Sequence, residues 1–257
     1  MAKTKIRGVQ KTLKHGALYV VGTPIGNLSD ISDRACDVLK KVDFIVAEDT
    51  RNSGRLLSKL EIENGARLTS YHEHNVKAKT GIIVERIKTG ESCAIITDAG
   101  MPCISDPGEV LVRNCRKSDI PVYVVPGACA VTAALAVSGL STSRYIFEGF
   151  LPSNESETKR RSRLEILKEL PHTLVFYESP HKLIKTLVTM QNVFGERKVA
   201  LCRELTKLYE EVLWGTFAEL LSLYESKSPR GEYVMVIEGA AKPPKRTKIN
   251  KYANIVD

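Results

Sequence analysis

The sequence predicts an α/β protein of two domains, and three observations predict it. Five short apolar runs alternate with helix-length stretches over the first 125 residues. Polar turns rich in Gly and Pro follow nearly every run. The alternation breaks once, at "VPGACAVTAALAVSGL", and then resumes in another form. Repeated β-α units imply a mainly parallel sheet with helices on both faces. The 257 residues are 43% hydrophobic, which suffices for one large or two modest cores.

In the first domain, residues 16–127, strands are expected near 17–21, 43–47, 67–71, 93–97 and 121–125, with helices near 33–41, 52–60, 76–88 and 107–117. In the second, residues 128–241, strands are expected near 145–149, 173–177, 197–202, 209–214 and 232–238. Helices there fall near 158–170, 180–191 and 216–225, and the consecutive strands after 197 predict a mixed sheet.

Composition narrows the class. The six cysteines are scattered with no C-x-x-C pair, which argues against a zinc ribbon and a disulfide framework and for reduced thiols. No run of eighteen apolar residues occurs, and "MAKTKIRGVQKTLKHG" lacks the apolar core of a signal peptide, so the reading is a cytoplasmic protein without membrane contact. The net charge of +8 is uneven: Lys3, Lys5, Arg7, Lys11 and Lys14 stand without an acid in 1–15, and Lys242, Lys245, Arg246, Lys248 and Lys251 face only Asp257 in 242–257. The stretch between is slightly negative. These basic tails either attract phosphates or solubilise. "KRRSR" at 159–163, with Arg160 and Arg161, either opens an exposed helix or faces a polyanion.

The polar motifs fall at carboxyl ends of the expected strands: "AEDTR" (47–51), "YHEHN" (71–75), "DAGMPCISDPG" (98–108), "PGACA" (126–130), "YESPHK" (177–182) and "REL" (203–205). Parallel sheets bind ligands beyond those ends, so the motifs suggest two rims facing one cleft. Asp106, Pro107 and Glu109 read as N-cap, N1 and N3 of a helix, whereas "DAGMP" has no such structural reason and reads as a ligand-contacting turn. The first turn, "GTPIGNLSD", has neither G-x-G-x-x-G nor G-K-[ST], so it is not a phosphate loop.

Taken together, "GTPIGNLSD", "AEDTR", "YHEHN", "DAGMPCISDPG", "VPGACAVTAAL", "FEGFLP", "FYESPHK" and "CRELTK" resemble the tetrapyrrole-methylase superfamily and, within it, the ribosomal RNA small subunit methyltransferase I family. The resemblance runs from about residue 17 to residue 240. It implies a two-domain α/β fold with S-adenosylmethionine (SAM) in the interdomain cleft, usually in a homodimer, and 2′-O-methylation of a cytidine of 16S rRNA in the small ribosomal subunit. SAM carries no phosphate, which accounts for the absence of a phosphate loop. The implied cofactor contacts are Pro24; Asp98, Ala99, Gly100, Met101 and Ile104; Cys129 and Ala130; and Tyr177, Glu178 and Leu205. Where many members of the superfamily carry a small residue or a hydroxyl after "PG", this chain has Cys129 followed by Ala130, and Cys129 can instead be a buried filler.

The chemistry needs a ribose hydroxyl oriented in line with the methyl group and a place for its proton. Glu48, Asp49 and Glu178 are the carboxylates available, with Asp49 equally suited to cap the helix after it. Arg51 and Arg203 suit a phosphate or a carboxylate, Arg51 as an RNA contact and Arg203 as a catalytic candidate, or else salt bridges to neighbouring acids. His72 and His74 are too few and too close for a metal site, so RNA contact is the reading and no metal is expected. Two other functions fit the same fold: methylation of a small molecule such as a tetrapyrrole, or a ribosome-assembly role without catalysis.

Overall fold

The computed structural model describes residues 13–63, 67–152 and 157–241. Apart from residues 13–15, the basic tails lie outside the described residues, as does most of the polar loop before "KRRSR".

The first half alternates strands β1 (Leu18–Val21), β2 (Phe44–Ala47), β3 (Leu68–Ser70), β4 (Cys93–Ile96) and β5 (Val122–Val125) with helices α1 (Asp33–Lys41), α2 (Thr50–Lys59), α3 (Val76–Lys88) and α4 (Gly108–Lys117). All strand pairs are parallel, in the order β3-β2-β4-β1-β5. The runs LYVV, FIVA and CAII are buried throughout, as strands covered on both faces must be. Helices α1 and α2 cover one face through Leu39 and Leu57, and α3 and α4 cover the other through Ile83 and Leu111. Right-handed crossovers leading in opposite directions along the sheet put them there. Ser32 caps α1 by accepting from Ala35 N, with Lys40 and Lys41 at the carboxyl end.

Helix α5 (Ala130–Val137) follows. The second sheet then takes β6 (Tyr145–Phe150), β7 (Thr173–Glu178), β8 (Lys198–Arg203), β9 (Glu211–Thr216) and β10 (Tyr233–Ile237), with α6 (Glu157–Leu167), α7 (Leu183–Phe194) and α8 (Phe217–Ser222). Its order is β6-β7-β10-β8-β9; β6 and β7 are parallel, the other pairs antiparallel, so the sheet is mixed as expected. Val131, Ala134 and Leu135 of α5 pack on Val175, Ala200 and Val236 of this sheet, and α7 packs on its other face through Leu187 and Met190. Thr216 and Glu219 form a capping box at the start of α8.

Where the turns after β1 and β5 pass each other, the backbones nearly touch. A Cβ on Gly22 would lie 2.6 Å from Gly127 N and 2.7 Å from Met101 Sδ. Gly81, in α3, has nothing within 4 Å of its would-be Cβ. Gly22→Ala is therefore expected to destabilise by about 2 kcal/mol or more, the cost of forcing an atom into a packed interior. Gly81→Ala should stabilise by about 0.5–1 kcal/mol through helix propensity. Urea denaturation of the two variants checks the opposite signs; equal effects would contradict the close approach.

Candidate active site

A cleft of about 550 Å³ opens between the carboxyl edge of the first sheet and the corresponding edge of the second. That lies within the roughly 300–1,000 Å³ of small-molecule sites. The first sheet contributes Ile25, Glu48, the turn from Thr97 to Met101, and Ile104 to Asp106. The start of α5 adds Cys129 and Ala130. The second sheet contributes Phe150, Tyr177 to Pro180, Cys202, Leu205 and Lys207, with Glu232 to Val234 from the amino end of β10.

Backbone hydrogen bonds fix the first wall. Gly22 N donates to Val125 O and Thr23 N to Gly100 O, both at 2.9 Å. The Thr23 hydroxyl sits 3.2 Å from the carbonyls of Thr97 and Gly100. Gly100 has φ +89°, and Cys103 and Ser105 follow at +72° and +67°. Across the cleft, Glu204 and Thr206 have φ +51° and +67°. Each such non-glycine residue costs on the order of 1 kcal/mol or more, and strain of this kind concentrates at ligand sites. The second turn is braced where Asn27 N donates to Thr206 Oγ1 at 3.1 Å and where Lys207 Nζ donates to Glu204 and Glu232, both at 2.8 Å.

The walls are acidic on the first-sheet side. Although Glu48 as a residue is exposed, the crowding of its carboxyl raises its pKa: desolvation leads, a hydrogen bond from Thr97 opposes, and the charges of Asp98, Asp106 and Asp49 add. Glu178 is 4% exposed and fully engaged: Oε1 accepts from Ser179 N at 2.8 Å and Oε2 from Thr186 Oγ1 at 2.6 Å. Thr186 in turn accepts from Arg160 Nη2 at 2.7 Å. Burial pushes the Tyr177 hydroxyl and the Cys202 thiol each up to about 12, so both stay protonated near neutrality. No group of three or more potential metal ligands occurs among the described residues.

Of the residues singled out in the sequence, Asp98, Ala99, Gly100, Met101, Ile104, Cys129, Ala130, Tyr177, Glu178, Leu205 and Glu48 line the cleft. Pro24 does not; it is buried beneath the turn, and its neighbour Ile25 faces the space instead. Asp49 is an N-cap rather than an acid of the cleft. It accepts from Arg51 N at 2.8 Å and pairs with the Arg51 guanidinium at 2.9 Å, which holds its pKa down at about 2. Arg203 lies on the opposite face of β8 from Cys202, because neighbours on a strand alternate, and pairs with Glu211 at 3.0 Å. Arg160 is not a surface cation: at 5% exposure it shares the inward face of α6 with Leu164 and Leu167, a spacing of four and three residues. Arg161 is exposed and 3.5 Å from Glu165. His72 and His74 follow the edge strand β3, away from the cleft, with His72 Nε2 3.0 Å from Asn75 Nδ2.

The residues from Glu232 to Val234 escaped the sequence reading because β10 runs against its neighbours and presents its amino end to the cleft. Cys202 was recoverable from strand alternation once Arg203 was placed.

Residues 17–221 match the family model of the tetrapyrrole (corrin/porphyrin) methylases. The chain belongs to that family. It is 44% identical over 241 residues to ribosomal RNA small subunit methyltransferase I of Haemophilus influenzae, covering 93% of this chain and 84% of that one. It is 46% identical over 224 residues to the protein of the same name from Thermotoga maritima, covering 87% and 99%. Among solved structures, a diphthine synthase superimposes with TM-score 0.65 at 12% identity over 87% of this chain and 89% of that one. A uroporphyrin-III-C-methyltransferase from Thermus thermophilus gives 0.56 at 22% identity over 86% and 94%. Both carry the same fold. The protein is accordingly a methyltransferase whose methyl donor is SAM.

The raised Glu48 pKa has a stability consequence. The folded protein holds a proton on Glu48 up to a higher pH than the unfolded chain, so this group's contribution is present below the ordinary value of 4.5 and lost as pH rises through the folded value. Glu48→Gln is expected to melt above the wild type at pH 7, with the difference closing as pH falls below about 4.5. A melting difference that stays constant from pH 4 to pH 8 would contradict the crowding of this carboxyl.

Proposed function

We propose that the protein methylates the ribose 2′ hydroxyl of a cytidine in 16S rRNA of the small ribosomal subunit. The observation that carries this reading is the strained, backbone-lined cleft with one raised carboxylate, Glu48, at its open side, in a chain that shares close to half its residues with rRNA small subunit methyltransferases.

The lining fits SAM. Ile25, Ile104, Leu205 and Val234 offer apolar surface for the adenine, with Tyr177 beside them, and the turn from Asp98 to Met101 offers backbone polar groups. Cys129 and Ala130 close the end at α5. The acids around the cleft complement a sulfonium and an ammonium group. SAM supplies the electrophilic methyl group; this chain's residues orient the acceptor and receive its proton.

Glu48 is the general base in this reading. Among the described residues its carboxyl accepts one hydrogen bond, from Thr97, which leaves the other oxygen without a partner, whereas both oxygens of Glu178 are already held by Ser179 and Thr186. A raised pKa also brings a carboxylate nearer the operating pH, where a base works best. Glu178 shapes the donor pocket. Exposed Arg51 and Arg161, with His72 and His74, contact the RNA outside the cleft. The protein works in the cytoplasm as a homodimer; the exposed Leu208, Tyr209 and Trp214 on and before the edge strand β9 supply apolar surface for a second copy.

Labelled SAM offered to small ribosomal subunits, naked rRNA and a porphyrin precursor tests the reading. Label is expected in ribosomal RNA, on a ribose. Glu48→Gln should lower turnover by about a hundredfold, the usual share of a general base, with far less effect on SAM affinity. Label in the porphyrin alone, or in no acceptor, would overturn it.

A further inference from the structure

A second hollow, of about 500 Å³, lies against the opposite face of the second sheet at the same edge as the cleft. Three cations line it: Arg203, Lys227 and Arg230. Its one acid, Glu211, is taken up by Arg203 at 3.0 Å. Lys227 Nζ stands 5.5 Å from the centre of the Tyr224 ring without an ion pair among the described residues. Arg230 holds its place through its backbone N, which donates to the Tyr233 hydroxyl at 3.2 Å, and its guanidinium has no partner among the described residues. The hydroxyls of Ser226 and Ser228 add further donors. The result is a concave surface with two uncompensated positive charges and a surplus of donors.

Its position matters as much as its charge. Tyr233, 3% exposed, lines both this hollow and the cleft, so the two are separated by the width of one residue. The segment that carries Lys227 and Arg230 is tied to the cleft side at its end: Gly231 packs on Glu204, and Glu232 N donates to Glu204 Oε1 at 2.9 Å. The cleft itself is lined by Glu48, Asp98, Asp106, Glu178 and Glu232. A polyanion cannot run along those walls without like-charge repulsion. A strand that delivers one sugar to the cleft must therefore keep its phosphates outside it, and a basic concavity lies just across Tyr233.

We infer that this hollow is a phosphate subsite that holds the backbone of the RNA next to the target nucleotide. The inference rests on the RNA reading given above. Phosphate contacts of this kind position a strand without reading its sequence, and each releases counterions on binding.

The test is the salt dependence of affinity for a single-stranded oligoribonucleotide and for small subunits, in the wild type and in Lys227→Ala/Arg230→Ala. A second double variant, Lys88→Ala/Lys117→Ala, removes the same charge from exposed sites on the first half of the chain. The hollow variant is expected to flatten the slope of log affinity against log salt by about 2, roughly one for each phosphate contact, and to leave SAM affinity unchanged. The control variant should change the slope by much less. An unchanged slope in the hollow variant, or equal flattening in both, would overturn the subsite while wild-type methylation of rRNA keeps the function reading. A flattened slope in the hollow variant of a wild type that methylates no RNA would keep the hollow as a phosphate contact but remove its placement beside a target nucleotide together with that reading. A wild type that binds neither probe would overturn both.

Discussion

The turns after β1, β4 and β5 can form one wall only because two glycines let their backbones meet. With Gly22 against Gly127 and Thr23 bonded to the carbonyls of Thr97 and Gly100, three chain segments far apart in sequence become one rigid surface. Strand order explains why they converge. β1 lies between β4 and β5, yet the chain leaves β1 toward α1 on one face and β4 toward α4 on the other. Connections that part in this way leave a crevice at the carboxyl edge, where parallel α/β sheets bind their ligands. The lacing of those turns gives the crevice a fixed floor.

The second sheet meets this floor with a different construction. Its antiparallel strands bring a strand start, at Glu232 and Tyr233, to the same edge as the strand ends at Tyr177 and Cys202. Most of the carboxylates on the two sides are partnered: Asn52 donates to Asp98 at 2.9 Å and Gly108 N to Asp106 Oδ1 at 2.8 Å. Lys207 stands between Glu204 and Glu232, Thr186 and Ser179 hold Glu178, and Glu48 is left with a raised pKa where solvent reaches it. The charge left over suits a cationic methyl donor. The nucleic acid has to be held by other surfaces.

Much of this was legible because the first half is so regular. Fully apolar runs such as FIVA and CAII can only be strands covered on both faces, and the polar turns that follow them mark the ligand edge. Helix limits moved where a local cap decided them. α2 starts at Thr50 because Asp49 caps it, and α7 runs from Leu183 to Phe194 because Ser179 to Lys182 form a turn and Gly195 ends the helix at φ +68°. Side-chain direction was harder. Arg203 and Cys202 differ by one step on a strand and so face opposite ways, and Arg160 belongs to an inward face that a basic cluster in the sequence conceals. The contribution of β10 depended on sheet order, which no local pattern encodes.

The central claim is that the laced turns build the methyl-donor site. The most direct measurement is a crystal structure of the protein soaked with S-adenosylhomocysteine, the product of methyl transfer. The account predicts electron density for the ligand against the backbone from Asp98 to Met101 on one side and Tyr177 on the other, with the turns at Gly22 and Gly127 unmoved. Ligand density elsewhere on the molecule, or a cleft that stays empty at saturating ligand, would contradict it.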